Sequence, residues 1–238
     1  MKYSPYSITK FECYDQCRRK FKYKYIDKIK PPIDMYAIER GRLWHDLIKK
    51  KINGDIYNFV KPQFECLTDE QYKQELQKII NFIKTDTFIK YYNSKLEKLT
   101  EQKFYIDIDG YPYLEKPYKY VFTGTADFLL FNDEILQVVD WKTGGKSIEK
   151  LKKFPKNTFQ LDIYSYAFAN LFNIFENVVS KYCFVELGYE QKVAGITPNI
   201  WKYTYRKIEE IEENTNFDKN ITKLCDYCEF RNLCDNDL

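Results

Sequence analysis

Residues 137–145 read QVVDWKTGG, from Gln137 through Asp140, Trp141 and Lys142 to Gly144 and Gly145: an apolar run that closes on an acid, an aromatic and a base ahead of two glycines. Such a run, bounded by glycines on one side and by Asn132-Asp133 on the other, has the length and punctuation of a buried strand. The preceding segment, VFTGTADFLLF at 121–131, is strand-like as well, and the two predict an antiparallel hairpin turning at Asn132-Asp133. If Phe131 faces Glu134, Asp127 faces Val138. Side chains alternate between the faces of a sheet, so Asp127, Asp140 and Lys142 then share one face, provided that the loop keeps an even length.

Two carboxylates and an ammonium on one surface suit work on a phosphodiester. Its charge repels nucleophiles, so hydrolysis needs a cation at the phosphate and a deprotonated water in line with the leaving oxygen. Asp127 and Asp140 offer hard oxygen ligands to a divalent cation, and Lys142 can orient the water or neutralise charge in the transition state. Gly144-Gly145 would let a nucleic-acid backbone approach closely. D-x-K by itself also arises as an edge-strand ion pair, and the catalytic reading gains its weight from neighbours. Gln160 and Tyr164 fall on one face of a predicted helix. His45, the single histidine of the chain, follows GRLW on another.

The rest of the chain reads as helices before this meander and a helix, a strand and a tail after it. Ser7 and Thr9 can cap a first helix running to about Tyr25, ended by Pro31-Pro32. A second pattern covers about Met35 to Lys51, and a third runs from Asp69 toward Tyr92. From Lys103 the period changes to that of strands. TFQLDIYSYAFANLFNIF returns to helix, VVSKYCFVEL is another strand, and one more helix precedes the C-terminal cysteines. No internal repeat or composition break marks a boundary, so 238 residues are read as one domain, 1–238: a mostly helical part to about 100, a core to about 205 and a tail from about 206.

Aromatic residues are 18% and charged residues 31% of the chain, the composition of a globular protein and not of a disordered one. No run has the length of a membrane span and the start lacks the apolar core of an export signal, so a cytoplasmic protein without a membrane partner is expected. A formal charge of +3 argues against a polycationic coat on nucleic acid, but RRKFKYKYIDKIK at 18–30 interleaves basic and aromatic residues as a phosphate-contacting surface or a solvated helix face does. No G-x4-G-K-[ST] segment is present, so any ATP-driven step belongs to a partner. The seven cysteines include Cys225, Cys228 and Cys234 in CDYCEFRNLC, a C-x2-C-x5-C cluster, with Cys13 and Cys17 near the start. Completed by one distant thiolate, that spacing can hold zinc or an iron-sulfur cluster.

GRLWH at 41–45, GTAD at 124–127, DWK at 140–142 and QLDIY at 160–164 resemble, in order, the G-x3-H, G-x2-D, D-x-K and Q-x3-Y motifs of the RecB-like nucleases in the PD-(D/E)XK superfamily. The opening SITKFECYDQCRRKFKYKY is similar to the start of its iron-sulfur members, the CRISPR-associated RecB-like exonucleases and the AddB nuclease domain, with Arg18 departing from the proline common after the cysteine. The resemblance implies an α/β (α+β) restriction-endonuclease-like core, a central mixed sheet flanked by helices, with a helical N-terminal insertion and a cluster-binding tail. It implies Mg2+ or Mn2+ on His45, Asp127, Asp140 and the main-chain carbonyl of Trp141, Lys142 as the catalytic lysine beside Asp127 and Asp140, and Gln160 and Tyr164 contacting DNA or bracing the site. It further implies a [4Fe-4S] cluster on Cys17, Cys225, Cys228 and Cys234. The activity so implied is metal-dependent DNA cleavage, as an exonuclease on single-stranded ends with endonuclease activity beside it, or else a non-cutting or end-trimming subunit. Protein partners from CRISPR adaptation, repair or phage replication belong to the same implication.

Overall fold

The structure is a computed structural model and describes residues 1–31, 35–55, 66–144, 147–153 and 156–236. In chain order its elements are α1 (Ile8–Gln16), α2 (Arg18–Phe21) with a π-helical turn (Lys22–Ile26), α3 (Met35–Ile52), α4 (Asp69–Phe82), α5 (Asp86–Tyr92), β1 (Glu97–Ile106), β2 (Pro112–Tyr113), β3 (Phe122–Phe131), β4 (Ile135–Lys142), α6 (Ile148–Lys153), α7 (Phe159–Phe172), β5 (Asn177–Phe184), β6 (Tyr189–Ala194), α8 (Ile200–Glu213), a 3-10 turn (Lys223–Tyr227) and α9 (Arg231–Asn236). Six strands form one mixed sheet in the order β2-β1-β3-β4-β5-β6, flanked by helices. The β4–β5 pair is parallel because α7 carries the chain back between them, while β3–β4 and β5–β6 are antiparallel.

The hairpin register differs from the one expected. Phe131 pairs with Leu136, not Glu134, because the Asn132 side chain accepts from the backbone N–H groups of Glu134 and Ile135 at 3.0 and 2.9 Å and lengthens the turn by two residues. A shift of two keeps the parity, so Asp127, Asp140 and Lys142 still share a face, and continuing the ladder brings Asp127 opposite Asp140.

The chain divides into two compact units, one of residues 1–33, 104–124 and 199–238, the other of residues 34–103 and 125–198. In the second unit, the face of β3 and β4 that carries Phe128, Leu130, Val139 and Trp141 is covered by Leu43, Trp44, Leu47 and Ile48 of α3, by Ile79 and Phe82 of α4, and by Phe88 and Tyr91 of α5. Trp44 is fully buried, so truncating it to alanine would cost about 3–5 kcal/mol. Its indole N–H donates to Glu75 Oε2 at 2.8 Å, and Arg40 Nε and Lys78 Nζ donate to the same carboxylate. Burial opposes ionisation of Glu75, but these donors outweigh it and hold its carboxyl below the usual range. On the other face Phe131 stacks on Phe172 of α7 with ring centres 4.4 Å apart. The third predicted helix is in fact two: Thr85 caps α5 by accepting from Phe88 N, which ends the run begun at α4.

In the first unit the single N-terminal helix expected from Ser7 to Tyr25 is interrupted. Ser7 caps α1, but Cys17 sits in extended backbone (φ −165°, ψ 118°) between α1 and α2. Much of the basic run is spent internally: Arg18 pairs with Glu210, Arg19 Nε donates to the Phe217 carbonyl at 2.8 Å, Lys20 pairs with Glu229 at 2.8 Å and Lys22 with Asp27 at 2.8 Å. Lys2 N and Tyr3 N donate to Glu212 of α8, as does the Tyr6 hydroxyl, which ties the start of the chain to that helix. Among the described residues no helix is long and apolar enough to cross a membrane.

Candidate active site

The acids, the base and the histidine converge in the second unit. Helix α3 buries Leu43, Trp44, Leu47 and Ile48, which turns the intervening His45 toward β3. His45 Nδ1 lies 3.4 Å from Asp127 Oδ1 and 3.3 Å from Glu101 Oε1 on β1. Asp127 Oδ2 accepts the Trp141 backbone N–H at 2.7 Å, which fixes the rotation of that carboxylate. Asp140, 2% exposed, accepts from Gln160 Nε2 through Oδ1 at 2.7 Å and meets Lys142 Nζ through Oδ2 at 2.5 Å. Lys142 Nζ also donates to Gln160 Oε1 at 3.1 Å, and Gln160 Nε2 lies 3.4 Å from the buried Tyr164 hydroxyl. Gln160 thus joins Asp140, Lys142 and Tyr164 in one network.

Charges follow from these contacts. Burial pushes the Asp140 carboxyl above its ordinary range, the neighbouring Asp127 adds to this, and Lys142 offsets only part. Burial opposes charge on His45, yet its hydrogen bonds to Asp127 and Glu101 more than reverse that and raise it to about 10. A positively charged imidazolium therefore sits among carboxylates at neutral pH.

A divalent cation fits this donor set. The Lys142 ammonium is close to Asp140 Oδ2, but that buried oxygen receives no well-directed hydrogen bond, and such an oxygen gains from a cation. Ligand atoms of His45, Glu101 and Asp127 all lie within 4.8 Å of one another. Glu101 escaped the sequence reading: it belongs to no motif, and its backbone holds a left-handed φ of 52°, which nothing in EQKFYI signals. Gly144 has φ of 78°, whereas Gly145 lies outside the described residues. Beside His45, one face of α3 opens a groove of about 500 Å³ lined by Ala37, Ile38, Gly41, Arg42, Asp46 and Lys49.

The four tail-site cysteines gather in the first unit. Cys17, Cys225, Cys228 and Cys234 line a cavity of about 230 Å³. Asn220 N lies 3.5 Å from Cys17 Sγ and Thr222 N 3.4 Å from Cys225 Sγ, donors of the kind that stabilise thiolate ligands. Cys13 does not line that cavity. It is 6% exposed, and burial pushes its thiol up to about 11.

No curated protein matches the chain in sequence. Among solved structures, one described as "Crystal structure of SSO0001" is 20% identical, over 84% of this chain and 99% of that one, with a TM-score of 0.42. The model of the PD-(D/E)XK nuclease superfamily matches residues 5–235, nearly the whole chain, and so spans every motif from GRLWH to QLDIY. The chain therefore belongs to the PD-(D/E)XK nuclease superfamily, whose members are metal-dependent nucleases.

Proposed function

We propose that the chain is a DNA nuclease that hydrolyses phosphodiester bonds with Mg2+ or Mn2+, acting as an exonuclease on single-stranded ends and bearing some endonuclease activity. The observation that carries this reading is the joint placement of Asp127, Asp140 and Lys142 on one face, with Gln160 hydrogen-bonded to both Asp140 and Lys142. His45, Asp127, Asp140 and the Trp141 carbonyl would hold the cation. When bound, it supplies charge against the phosphate and acidifies water. Lys142, kept in place by Asp140 and Gln160, would orient the attacking water and neutralise charge on the phosphate. Tyr164 braces Gln160, and Trp141 N keeps Asp127 from turning. The groove along α3 offers Arg42 and Lys49 to the phosphates of a single strand. Digestion of end-labelled single-stranded and duplex DNA with each metal tests the reading. Cleavage of neither substrate under any of these conditions would reject it and leave a non-cutting DNA-binding subunit.

Lys142→Ala is expected to lower turnover by about 10²- to 10³-fold, the range seen when a group aimed at transition-state charge is removed, while calorimetry still records Mn2+ binding. Unchanged turnover would free Lys142 from this role.

His45 gives a pH signature. Its folded value is raised, so the stabilisation by the imidazolium is present in full below about 6.5 and is lost as pH rises through about 10. A cation that takes its nitrogen must displace that proton, so apparent Mn2+ affinity should climb with pH below about 10, by up to about tenfold per unit. Calorimetric titration at three pH values checks this, and the slope should flatten in His45→Ala.

The cysteine cavity is read as the site of a [4Fe-4S] cluster on Cys17, Cys225, Cys228 and Cys234. Support for this reading is that all four thiols line one cavity, with Asn220 N and Thr222 N turned toward the sulfurs of Cys17 and Cys225. The cluster's role is to clasp the tail to the α1–α2 junction.

A further inference from the structure

We infer that the solvent face of α8 is a docking surface for single-stranded DNA, with Lys202 and Arg206 meeting phosphates and the rings beside them stacking on bases; the assignment rests on the reading of single strands as substrate and deepens it. The first unit holds both parts of this surface, α8 and the loop between β1 and β2. Helix α8 buries Ile200, Thr204, Ile208 and Ile211. At about 100° per residue that face centres opposite Lys202 and Arg206, so the two cations occupy the middle of the solvent face. Trp201 and Tyr205 flank them on one side and Tyr203, 60% exposed, on the other.

Charge decides what this face takes. The basic run at 18–22 spends its cations on Glu210, Glu229, Asp27 and a carbonyl, and Lys207 pairs with Asp15 and Glu210. Lys202 and Arg206, by contrast, pair with no carboxylate among the described residues, and no acid precedes Glu209 on the helix. The segment WKYTYR at 201–206 thus sets cations free for a phosphate backbone between rings on which bases can lie, whatever their sequence, because every base has a flat face. The rings are held in place beforehand. Gly110 has φ of 95°, and a Cβ there would stand 2.4 Å from Trp201 Cδ1, so the loop closes against the indole as only glycine allows. Asp107 is used within that loop, accepting from Asp109 N, Tyr111 N and the Tyr113 hydroxyl at 3.0, 2.9 and 2.8 Å, and Tyr111 next to Gly110 is 66% exposed. The Trp201 and Tyr205 rings lie 6.4 Å apart, centre to centre. Rings already fixed lose little freedom when a base stacks on them.

The test is fluorescence anisotropy of a labelled oligothymidylate titrated with the whole purified chain at several salt concentrations, with no divalent cation added so that nothing is cut. The Lys202→Gln/Arg206→Gln double variant is expected to bind at least about tenfold more weakly, and its plot of log K against log salt to be flatter by about 1.4, because each phosphate contact given up removes about 0.7. Tyr203→Ala is expected to bind about five- to a hundredfold more weakly with the slope unchanged, whereas Tyr203→Phe, which keeps the ring, binds as the wild type does. All three side chains are exposed, so the variants should melt with the wild type. Should the double variant melt lower, each single substitution is expected to flatten the slope by half as much. Wild-type affinity in the double variant overturns the proposal. So does wild-type affinity in Tyr203→Ala, which would leave a charged patch fit for an acidic protein instead, and so does a wild type that binds no oligothymidylate. Failure of the nuclease reading looks different: the wild type would bind the oligothymidylate and leave it intact at every Mn2+ concentration.

Discussion

Asp140→Asn is expected to cut labelled DNA at least about a thousandfold more slowly than the wild type while melting no lower. The rate loss corresponds to about 4 kcal/mol of transition-state stabilisation, a fair measure of a carboxylate that holds Lys142 and is proposed to ligate the cation. Stability goes the other way because Asp140 is buried and its carboxyl is raised in the fold, so ionising it costs folded-state stability as pH climbs through that raised value. Asparagine keeps the oxygen that accepts from Gln160 and carries no charge to bury. Lys142, 27% exposed, can turn its ammonium to water. Thermal melts and initial rates measured on the same preparation check both halves. Cleavage near the wild-type rate would remove Asp140 from the site, and a large drop in melting temperature would assign the lost rate to misfolding.

Cys17→Ala is expected to lose iron and sulfide together and to unfold at markedly lower temperature, whereas Cys13→Ala keeps its colour. Cys17 lines the cavity shared with Cys225, Cys228 and Cys234, and Cys13 is packed in the apolar interior. A cluster bridging Cys17 and Cys225 closes a loop of about two hundred residues, which in the chain-entropy account is worth about 5 kcal/mol. That is comparable to the whole stability of many domains, so the first unit should lose most of its cooperativity. Iron analysis of anaerobically purified protein decides the ligand. A colourless Cys13→Ala with a fully loaded Cys17→Ala would exchange their roles, and a wild type with zinc and no iron would replace the cluster by a zinc site.

What the sequence made legible was whatever rests on local periodicity. Helix α3 was expected from Met35 to Lys51 and runs Met35–Ile52, and the shared face of Asp127, Asp140 and Lys142 follows from the alternation of two strands. The register itself was hidden, since it depends on two hydrogen bonds that the Asn132 side chain accepts and that a two-residue turn does not make. The interruption at Cys17 carries no proline or glycine; Asn220, some two hundred residues on, meets both Cys17 Sγ and the Gln16 carbonyl there. Glu101 was invisible for the same reason: its meeting with His45 spans 56 residues and a rare backbone angle. The basic run after Cys17 looked like a phosphate surface because its acidic partners, Glu210 and Glu229, lie at the far end of the chain.

The first unit is assembled from the beginning, the middle and the end of the chain, whereas the second is complete at residue 198. During synthesis Asp127, Asp140, Lys142 and the unit that holds them have therefore been added before the first unit's third segment, which brings Cys225, Cys228 and Cys234. Until then Cys17 lacks the three cysteines that share its cavity, and Phe21 and Tyr23 lack the rings of Phe217 and Phe230 that they pack against. A chain stopped soon after residue 198 would carry Asp127, Asp140 and Lys142 while Phe21 and Tyr23 still lacked those rings. The cavity that Cys17 shares with Cys225, Cys228 and Cys234 is in this sense a late event of synthesis: it can form only once residue 234 has been added.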